Sequence, residues 1–364
     1  NMKKLQFVWS LFILFSFAVA IDVETSSVAA TIKSVLSDSK HDTNSQTFVL
    51  NNIMTNYTLD SSTLSLPINS ALASNLEFVG PSSIDSATSF DICDSLPSLT
   101  FKNIQFDSLE TLTFSSLKLI LSSSDNFLNA SKTTQILFQS CCIYQQNWDS
   151  TLSFKASFRN GSTLRFADSL FFFQSDSPWN IQIGSISHVH FANSVFYYDQ
   201  KNFTTSCSGS YGVSELLFIS INLGGSVSFH NITVSSRKST SDLNFNAIKG
   251  LFDIKNSESV SLSDVNFQKM DTSTESCSWL SILNSTYVSI QDVSLTDTIV
   301  RTPDGKRSVI EAHEISQTVE IRNFMVKNVN FDGDSDYTIT DSILFLSKAN
   351  ELIITNITID QSVL

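Results

Sequence analysis

One short phrase recurs along this chain and restricts the folds open to it. It reads SESVSLSDVNF at 257–267 and STYVSIQDVSL at 285–295. In each phrase two apolar residues flank a polar one, an Asp follows two positions later, and a second apolar run begins. We take the second apolar residue of each copy as its reference residue. The residue two positions earlier is apolar in all ten copies, so each copy predicts a short β-strand with one buried face. The reference residues of the ten copies are Phe78, Phe101, Phe138, Phe166, Phe191, Phe229, Leu262, Ile290, Ile321 and Ile354.

The position two residues after the reference is Asn or Asp in eight of the ten copies. These residue types tolerate left-handed backbone and form hydrogen bonds to their own chain at bends. We therefore predict a corner here, at which side chains of successive copies stack into a ladder that satisfies polar groups of the bend. The predicted ladder residues are Asn103, Asp168, Asn193, Asn231, Asp264, Asp292, Asn323 and Asn356.

A third apolar stretch precedes several copies, as in LLFISI at 216–221 and LFDI at 251–254. The spacing of the reference residues varies between 23 and 38, so a constant strand core alternates with loops of variable length. Such repeats stack on one another and bury one continuous core. The sequence predicts an all-β solenoid of about ten coils over residues 45–364, with parallel strands hydrogen-bonded from coil to coil.

The phrase V-x-I-x-N-V-x-F, with variable loops between copies, resembles the right-handed single-stranded parallel β-helix of pectin-lyase-like proteins. The resemblance covers roughly residues 45–364 and implies a fold that serves many unrelated functions, among them polysaccharide-active enzymes. A leucine-rich repeat also stacks strands and Asn side chains, but it needs a steadier period of about 20–29 residues. The long and irregular spacing favours the β-helix.

The N-terminal residues differ from the repeat region. Lys3 and Lys4 precede an apolar run over 5–20 that ends in Ala-Val-Ala, which is typical of a secretory signal peptide over residues 1–20; a membrane anchor is the alternative. Residues 21–44 form a predicted cap region, because 28–36 place apolar residues on one face of a helix that would cover the open end of the solenoid. At the other end we expect further coils or a partner subunit, and no later segment is apolar and long enough to span a membrane.

Charge and glycosylation signals both favour an extracellular setting. The net charge of −13 makes nucleic acid an unfavourable partner. Secretion would expose the Asn-x-Ser/Thr sequences to N-glycosylation, although those at Asn231 and Asn356 coincide with ladder positions. The remaining candidates are Asn56, Asn129, Asn160, Asn202 and Asn284.

Cysteine chemistry is constrained by an odd count and by the absence of any Cys-x-x-Cys pair. In an oxidising compartment we expect one or two disulfides and at least one remaining thiol, with the connectivity open. The candidates are Cys93, Cys141, Cys142, Cys207 and Cys277.

Catalytic motifs were sought because the resemblance implies them. The Asn-Thr-Asp, Asp-Asp and Gly-His-Gly phrases of polygalacturonase-like sites do not occur in the sequence, and the outward row of the predicted sheet places no two acids side by side. Arg165 and His190 should stack one coil apart in that row, as two cations without a carboxylate. His188 shares a strand face with His190 without an evident third metal ligand.

Two weaker candidates for ligand binding are an acidic loop and a group of aromatic residues. Asp332, Asp334 and Asp336 alternate as in a calcium loop but lack the glycine and the distal glutamate of an EF-hand, so calcium is a weak candidate and no other cofactor is indicated. Alternate aromatic residues of 171–173 and 196–198 should stack in the core, whereas Phe172 and Tyr197 could stack outside it as a carbohydrate platform.

The sequence thus favours a non-enzymatic, secreted or cell-surface structural or adhesion-type β-helix. We expect it to be N-glycosylated and part of a larger protein or assembly, with extracellular glycans or surface proteins as partners. The alternatives are a polysaccharide lyase or glycoside hydrolase, and a carbohydrate-binding β-helix without turnover.

Overall fold

The computed structural model describes residues 19–23, 27–37, 45–60, 68–69, 73–81, 87–121, 127–145, 155–174, 180–199, 219–222, 224–237, 252–268, 271–273, 280–301, 310–332 and 344–360. Strands dominate these residues because apolar and polar side chains alternate along short segments. The helices are α1 (Val28–Ser37) and α2 (Phe90–Asp94). The strands are β1 (Val19–Asp22), β2 (Ser45–Val49), β3 (Asn56–Asp60), β4 (Ile68–Asn69), β5 (Asn75–Val79), β6 (Ser98–Lys102), β7 (Ile104–Asp107), β8 (Thr111–Ser115), β9 (Lys118–Leu121), β10 (Phe127–Ser131), β11 (Gln135–Gln139), β12 (Cys142–Gln145), β13 (Lys155–Arg159), β14 (Thr163–Ala167), β15 (Leu170–Gln174), β16 (Asn180–Gly184), β17 (His188–Asp199), β18 (Ile219–Asn222), β19 (Ser226–Arg237), β20 (Phe252–Lys255), β21 (Ser259–Gln268), β22 (Asp271–Ser273), β23 (Leu280–Leu283), β24 (Tyr287–Arg301), β25 (Ile310–His313), β26 (Thr318–Asp332), β27 (Leu344–Ser347) and β28 (Glu351–Asp360).

All strands but one form three rows, in which they pair in parallel with strands of the neighbouring repeats. The exception, β22, pairs with the end of β24, beyond a further left-handed residue at Asp297. The first row contains β1, β2, β5, β8, β11, β14 and the first halves of the long strands β17, β19, β21, β24, β26 and β28. The second row contains β3, β6, β9, β12, β15 and the second halves of the same long strands. The third row is a separate sheet of β4, β7, β10, β13, β16, β18, β20, β23, β25 and β27.

A residue with left-handed backbone separates the first row from the second. Asn193 in β17 has a φ of 47°, and Asp264 in β21 has a φ of 55°. A second set of such residues, including Asn256 and Asn284, lies where the third row leads back to the first. Asn and Asp suit these positions because they adopt left-handed backbone at little cost.

The core between the rows changes in character along the chain. From β2 to β19 the reference position of the first row is Phe, and the rings stack with centroids 4.7–5.5 Å apart from each repeat to the next. The column consists of Phe48, Phe78, Phe114, Phe138, Phe166, Phe191 and Phe229. From β21 onward Leu262, Ile290 and Ile321 take the same position, so this column of the core becomes aliphatic.

Both helices pack against strands. In α1, Val28 and Ile32 are buried and join the main core, and the helix contacts β3. The short α2 lies over a small separate core outside the second row, where Cys93 is joined to Cys142 by a disulfide. Leu170 and Phe172 complete this second core.

The prediction of an all-β chain with long parallel sheets is confirmed, and this arrangement is compatible with a parallel β-helix. One copy was assigned to the wrong row. Phe101 lies in β6, which pairs with β3 and β9 rather than with β5, so Asn103 is a corner between the second and third rows. The first-row strand at this height is β8, whose phrase TLTFSS has Ser116 in place of Asn or Asp.

The N-terminal boundary and the membrane expectation touch the described residues only in part. Val19–Asp22 form β1 and pair with β2, so the predicted boundary of the signal peptide at residue 20 falls inside a strand; the rest of 1–20 lies outside the described residues. Neither α1 nor α2, the helices found in the described part of the chain, could span a bilayer.

Candidate functional site on the outward face of the first row

The outward face of the first row brings together the basic side chains that the sequence placed on adjacent repeats. Arg165 of β14 lies beside His190 of β17, and Ser228 of β19 follows in the same register. Two residues earlier in the same strands, His188 lies between Thr163 and Ser226. These side chains face outward because the residues between them are the buried apolar ones.

Each histidine of this face contacts a serine of the next repeat. The Nδ1 atoms of His188 and His190 lie 2.7 Å and 2.6 Å from the hydroxyls of Ser226 and Ser228. A hydroxyl can donate to a neutral imidazole or accept from a protonated one, so these contacts are compatible with both charge states. The two Nε2 atoms have no hydrogen-bond partner among the described residues.

His230 extends the basic group across the corner, a residue that the sequence analysis did not single out. Its Nδ1 lies 2.9 Å from the hydroxyl of Ser263 and 3.5 Å from Oδ2 of Asp264. It follows Phe229, one position past the strand reference, and pairs in register with Ala192. A search for basic residues at that position would have found it.

The environment of His190 opposes its protonation. Partial burial lowers the pKa of His190, and the nearby charges of His188 and Arg165 lower it further. Arg165 itself is exposed and has no carboxylate partner within the described ranges. The face therefore carries one permanent positive charge and three imidazoles, each of which adds a positive charge when it is protonated.

His188 and His190 lie side by side on the strand face. Their ring centroids are 6.1 Å apart with the rings inclined by 24°. Over the part of the chain that the structure describes, no three His, Cys, Asp or Glu side chains are grouped to hold a metal ion.

A second polar cluster lies on the third row and was missed at the sequence level. His313 joins two side chains: its Nδ1 is 2.8 Å from the hydroxyl of Ser347, and its Nε2 is 3.3 Å from Oε2 of the buried Glu311. Two repeats earlier, buried Asp253 forms an ion pair with Lys255 at 2.7 Å.

The contact of Ser347 with His313 resembles a nucleophile and its base. However, the same contact between a histidine Nδ1 and a serine of the next repeat occurs at His188, His190 and His230. It therefore reflects the register of neighbouring parallel strands rather than a special catalytic arrangement.

The predicted ladder is present as hydrogen bonds from each amide to the preceding repeat. Asn193 Nδ2 donates to Asp168 at 3.0 Å, and Asn231 Nδ2 donates to Asn193 at 3.0 Å. A second run starts at Asp292, to which Asn323 donates at 2.8 Å. The remaining members of the predicted set are Asn356, which donates to Asn323, Asp264, which lies beside His230, and Asn103 at its different corner.

Two further ladders lie at other corners. Asn256 donates to Asn222 at 2.9 Å, and Asn284 donates to Asn256 at 2.6 Å, where the third row leads back to the first. At the far end of the second row, Asn328 donates to Asp297 at 3.0 Å. The signal for these ladders was present as Asn after the third apolar stretch, in KNSES and LNST.

The candidate glycosylation sites occupy different environments. Asn56 is exposed at the start of β3, and Asn129 points outward from the middle of β10, where it is half-buried. Asn160 is exposed at a corner with a φ of 57°. Asn284 spends its amide nitrogen on the ladder, and Asn202 lies outside the described residues.

The other predicted residues are placed as follows. Cys141 is a buried free thiol, and burial raises its pKa to about 12, which makes it a poor nucleophile. Cys207 and Cys277 lie outside the described residues, as do Asp334 and Asp336, while Asp332 ends β26.

The outer aromatic residues lie on the second row. Phe172 is buried in the small core beneath α2, with its ring centroid 5.2 Å from that of Tyr144. Lys118 Nζ covers the Tyr144 ring at 4.6 Å from the centroid. Phe172 is therefore not an open platform for a sugar.

Comparison of the chain with protein-family models, with curated proteins and with solved structures finds no match. The chemistry of the site must therefore be argued from its own residues. A flat, hydroxyl-rich face with one guanidinium and three imidazoles can bind anions through ion pairs and hydrogen bonds.

Proposed function

We propose that this protein is a non-enzymatic, secreted or cell-surface scaffold that works as part of a larger protein or assembly. We further propose that it is a right-handed single-stranded parallel β-helix of about ten coils with the pectin-lyase-like architecture, capped by α1. In this proposal residues 1–20 are a signal peptide, and N-glycosylation falls on exposed Asn side chains such as Asn56 rather than on ladder residues.

The observation that carries the proposal is the exposed apolar face of β28. Its residues Leu352, Ile354, Ile357 and Ile359 are 45–58% exposed. The residues at the same register in β26, which are Val319, Ile321, Phe324 and Val326, are at most 3% exposed.

This face lies at the end of a parallel sheet, where β28 pairs with β26 on one side only, among the described strands. An unpaired strand edge beside an apolar face binds a further β-strand readily, because both hydrogen bonds and apolar burial are gained. Further repeats of a longer protein or a partner subunit would cover this face in the same way, which supports the interpretation as part of a larger protein or assembly.

The test uses the secreted chain and measures its mass by light scattering over a range of concentrations. We expect concentration-dependent association that Ile354→Lys abolishes, because a charge in the apolar face opposes strand addition. Thr355→Lys is the matched control, since it adds the same charge on the neighbouring residue and on the outward side of the strand. A wild-type chain that stays monomeric at every concentration would contradict assembly through this face.

The non-enzymatic part of the proposal is tested separately. The chain is incubated with acidic and neutral polysaccharides, with and without calcium, and new chain ends are measured. Turnover at a rate above that of buffer would favour the alternative of a polysaccharide lyase or glycoside hydrolase.

A further inference from the structure

The basic group on the outward face of the first row has a sign opposite to that of the whole chain. The chain has a net charge of −13, yet Arg165, His188, His190 and His230 lie on three neighbouring strands. We call these four residues the basic face. A local excess of positive charge on an acidic protein attracts an anionic ligand to that face, because the rest of the surface repels it.

Few carboxylates face the basic face from the strands around it. On β11 and β14 the outward neighbours are Gln135, Leu137 and Thr163. On β21 they are Ser259 and Ser261. The central part of the surface is therefore neutral apart from the basic face itself.

Among the described residues, two carboxylates approach the basic face, and both lie at its corner. Asp168 accepts hydrogen bonds from Gln139 at 2.5 Å and from Asn193 at 3.0 Å, so its oxygens are already engaged. Oδ2 of Asp264 lies 3.5 Å from Nδ1 of His230. Neither lies between Arg165 and His190.

We propose that the basic face binds a linear sulfated glycan, and that binding becomes strong only when the histidines are protonated under mildly acidic conditions. Neighbouring strands are about 4.8 Å apart, so a chain that crosses the strands meets a new set of side chains at steps comparable to one sugar ring. The basic groups bind sulfates, and the hydroxyls of Ser226, Ser228 and Ser261 are available to sugar oxygens.

A sulfated ligand fits the protonation chemistry better than a carboxylated one. Sulfate esters stay fully ionised at about pH 5, whereas a carboxylic acid with a pKa of about 4 is already partly protonated there. Burial lowers the pKa of His190 most and the charges of His188 and Arg165 lower it further, and a bound anion offsets the repulsion between these charges. Ligand binding and proton uptake therefore promote each other.

This inference gives the proposed scaffold a ligand, and it rests on that proposal only for the extracellular setting in which sulfated glycans occur. Binding is measured on monomeric protein at low concentration, so its outcome does not depend on association through β28. Failure of binding and failure of assembly are thus separate results.

The experiment is titration calorimetry of the folded chain with a sulfated hexasaccharide, compared with the unsulfated backbone and a uronic-acid hexasaccharide. We expect the sulfated ligand to bind at least about tenfold more tightly at about pH 5 than at about pH 7.5, with proton uptake seen in buffers of different ionisation enthalpy. Raising the salt concentration should weaken the binding, because ion pairs supply it.

Variants assign the effect to the basic face. Arg165→Ala should weaken binding at both pH values by about tenfold or less, whereas Arg165→Lys should largely retain it. Lys327→Ala, which removes one exposed charge from β26, is the matched control and should leave binding unchanged.

The histidines are tested by His188→Asn and His190→Asn, singly and together, with folding checked by circular dichroism. We expect the dependence of binding on pH to diminish with each substitution while Arg165 still provides weak binding at neutral pH. Affinity that does not change with pH, or an Arg165→Ala variant that binds as well as Lys327→Ala, would overturn the proposal. Equal binding of the uronic-acid ligand would show a general polyanion site and overturn the sulfate selectivity.

Discussion

The two parts of the parallel strand array hold nearly the same backbone in different ways. The aromatic part, β2–β19, stacks seven phenylalanine rings in its core, and its early corners are Gly80, Ser116 and Ser140. The aliphatic part, β21–β28, has Leu262, Ile290 and Ile321 at the same core position and amide ladders at its corners.

The amide ladder begins at Asp168, before the phenylalanine column ends at Phe229. The change along the chain from stacked rings to amide ladders is therefore gradual. A parallel strand array can therefore be stabilised mainly by stacked rings in its core or, in addition, by hydrogen-bonded side chains at its corners.

The largest expected effect comes from removing one ring of the column. Phe138 stacks on Phe114 at 5.1 Å and on Phe166 at 4.7 Å and meets Phe158 edge-on at 5.9 Å, so Phe138→Ala removes three ring contacts and leaves a cavity. We expect a loss of about 4 kcal/mol in the free energy of unfolding, against about 3 kcal/mol for Ile321→Ala in the aliphatic part. Hydrogen exchange of the flanking strands measures each loss locally, since repeat arrays need not unfold in one step.

If Ile321→Ala proved as costly as Phe138→Ala or more so, ring stacking would add nothing to burial. The two parts would then differ in composition alone. Phe138→Leu provides the intermediate case, because it keeps most of the apolar volume and removes only the ring.

A smaller effect is expected at the ladder of the aliphatic part. Asn323→Asp replaces the amide that donates to Asp292 by a second carboxylate, and so loses a hydrogen bond and places two negative charges together. We expect a loss of about 1–2 kcal/mol at neutral pH. Repulsion raises the pKa of the new carboxyl above its value in the unfolded chain, so the loss is present above about pH 4 and disappears as the pH falls below it.

Thermal unfolding of Asn323→Asp at several pH values measures this effect, and Asp292→Asn is the control. The control keeps an acceptor for Asn323 and removes a charge, so it should not lower stability. A loss in Asn323→Asp that is equal at all pH values would mean that charge plays no part in the ladder.

The smallest effect is expected at the boundary between the two parts. An apolar cavity lies there, lined by residues that include Phe229, Phe252, Leu262 and Leu280. Leu262→Phe would extend the ring column by one repeat into this space and should raise the free energy of unfolding by about 0.5–1 kcal/mol. Leu262→Ile keeps the volume and is the control; a loss of stability in Leu262→Phe alone would show that the space cannot accept a ring.

The sequence predicted the strands well because the alternation of apolar and polar residues is local. Pairing is not local, and this explains the one misplaced copy. The phrase SLTFKNIQF around Phe101 matches the pattern fully, yet β6 pairs with β3 through Leu59 and Tyr57, which the phrase cannot show. The true first-row strand β8 was missed: its corner residue is Ser116, and serine marks a bend less strongly than the Asn or Asp of eight of the ten copies.

The candidate site was foreseeable in part. The adjacency of Arg165 and His190 follows from the repeat alone, since both occupy the same outward position. His230 needed the corner geometry, and the serine contacts of the three histidines depend on side-chain orientations that no pattern encodes. The third-row cluster of Glu311, His313 and Ser347 could not be foreseen in this way. It depends on the burial of Glu311 and on a contact between residues that are far apart in sequence.

The direction of the ladders restricts how such a chain can grow by duplication of its repeats. Among the described residues, each Asn of a ladder donates to the repeat before it. The runs at Asp168, Asp292 and Asp297 begin with an acid, which accepts but cannot donate, whereas the run through Asn256 begins at Asn222. Copying a repeat that carries Asn323 would lengthen an existing run, whereas copying one that carries Asp292 would end one run and open another. Repeats that share one backbone are therefore not interchangeable units, and their order is part of what the gene must preserve.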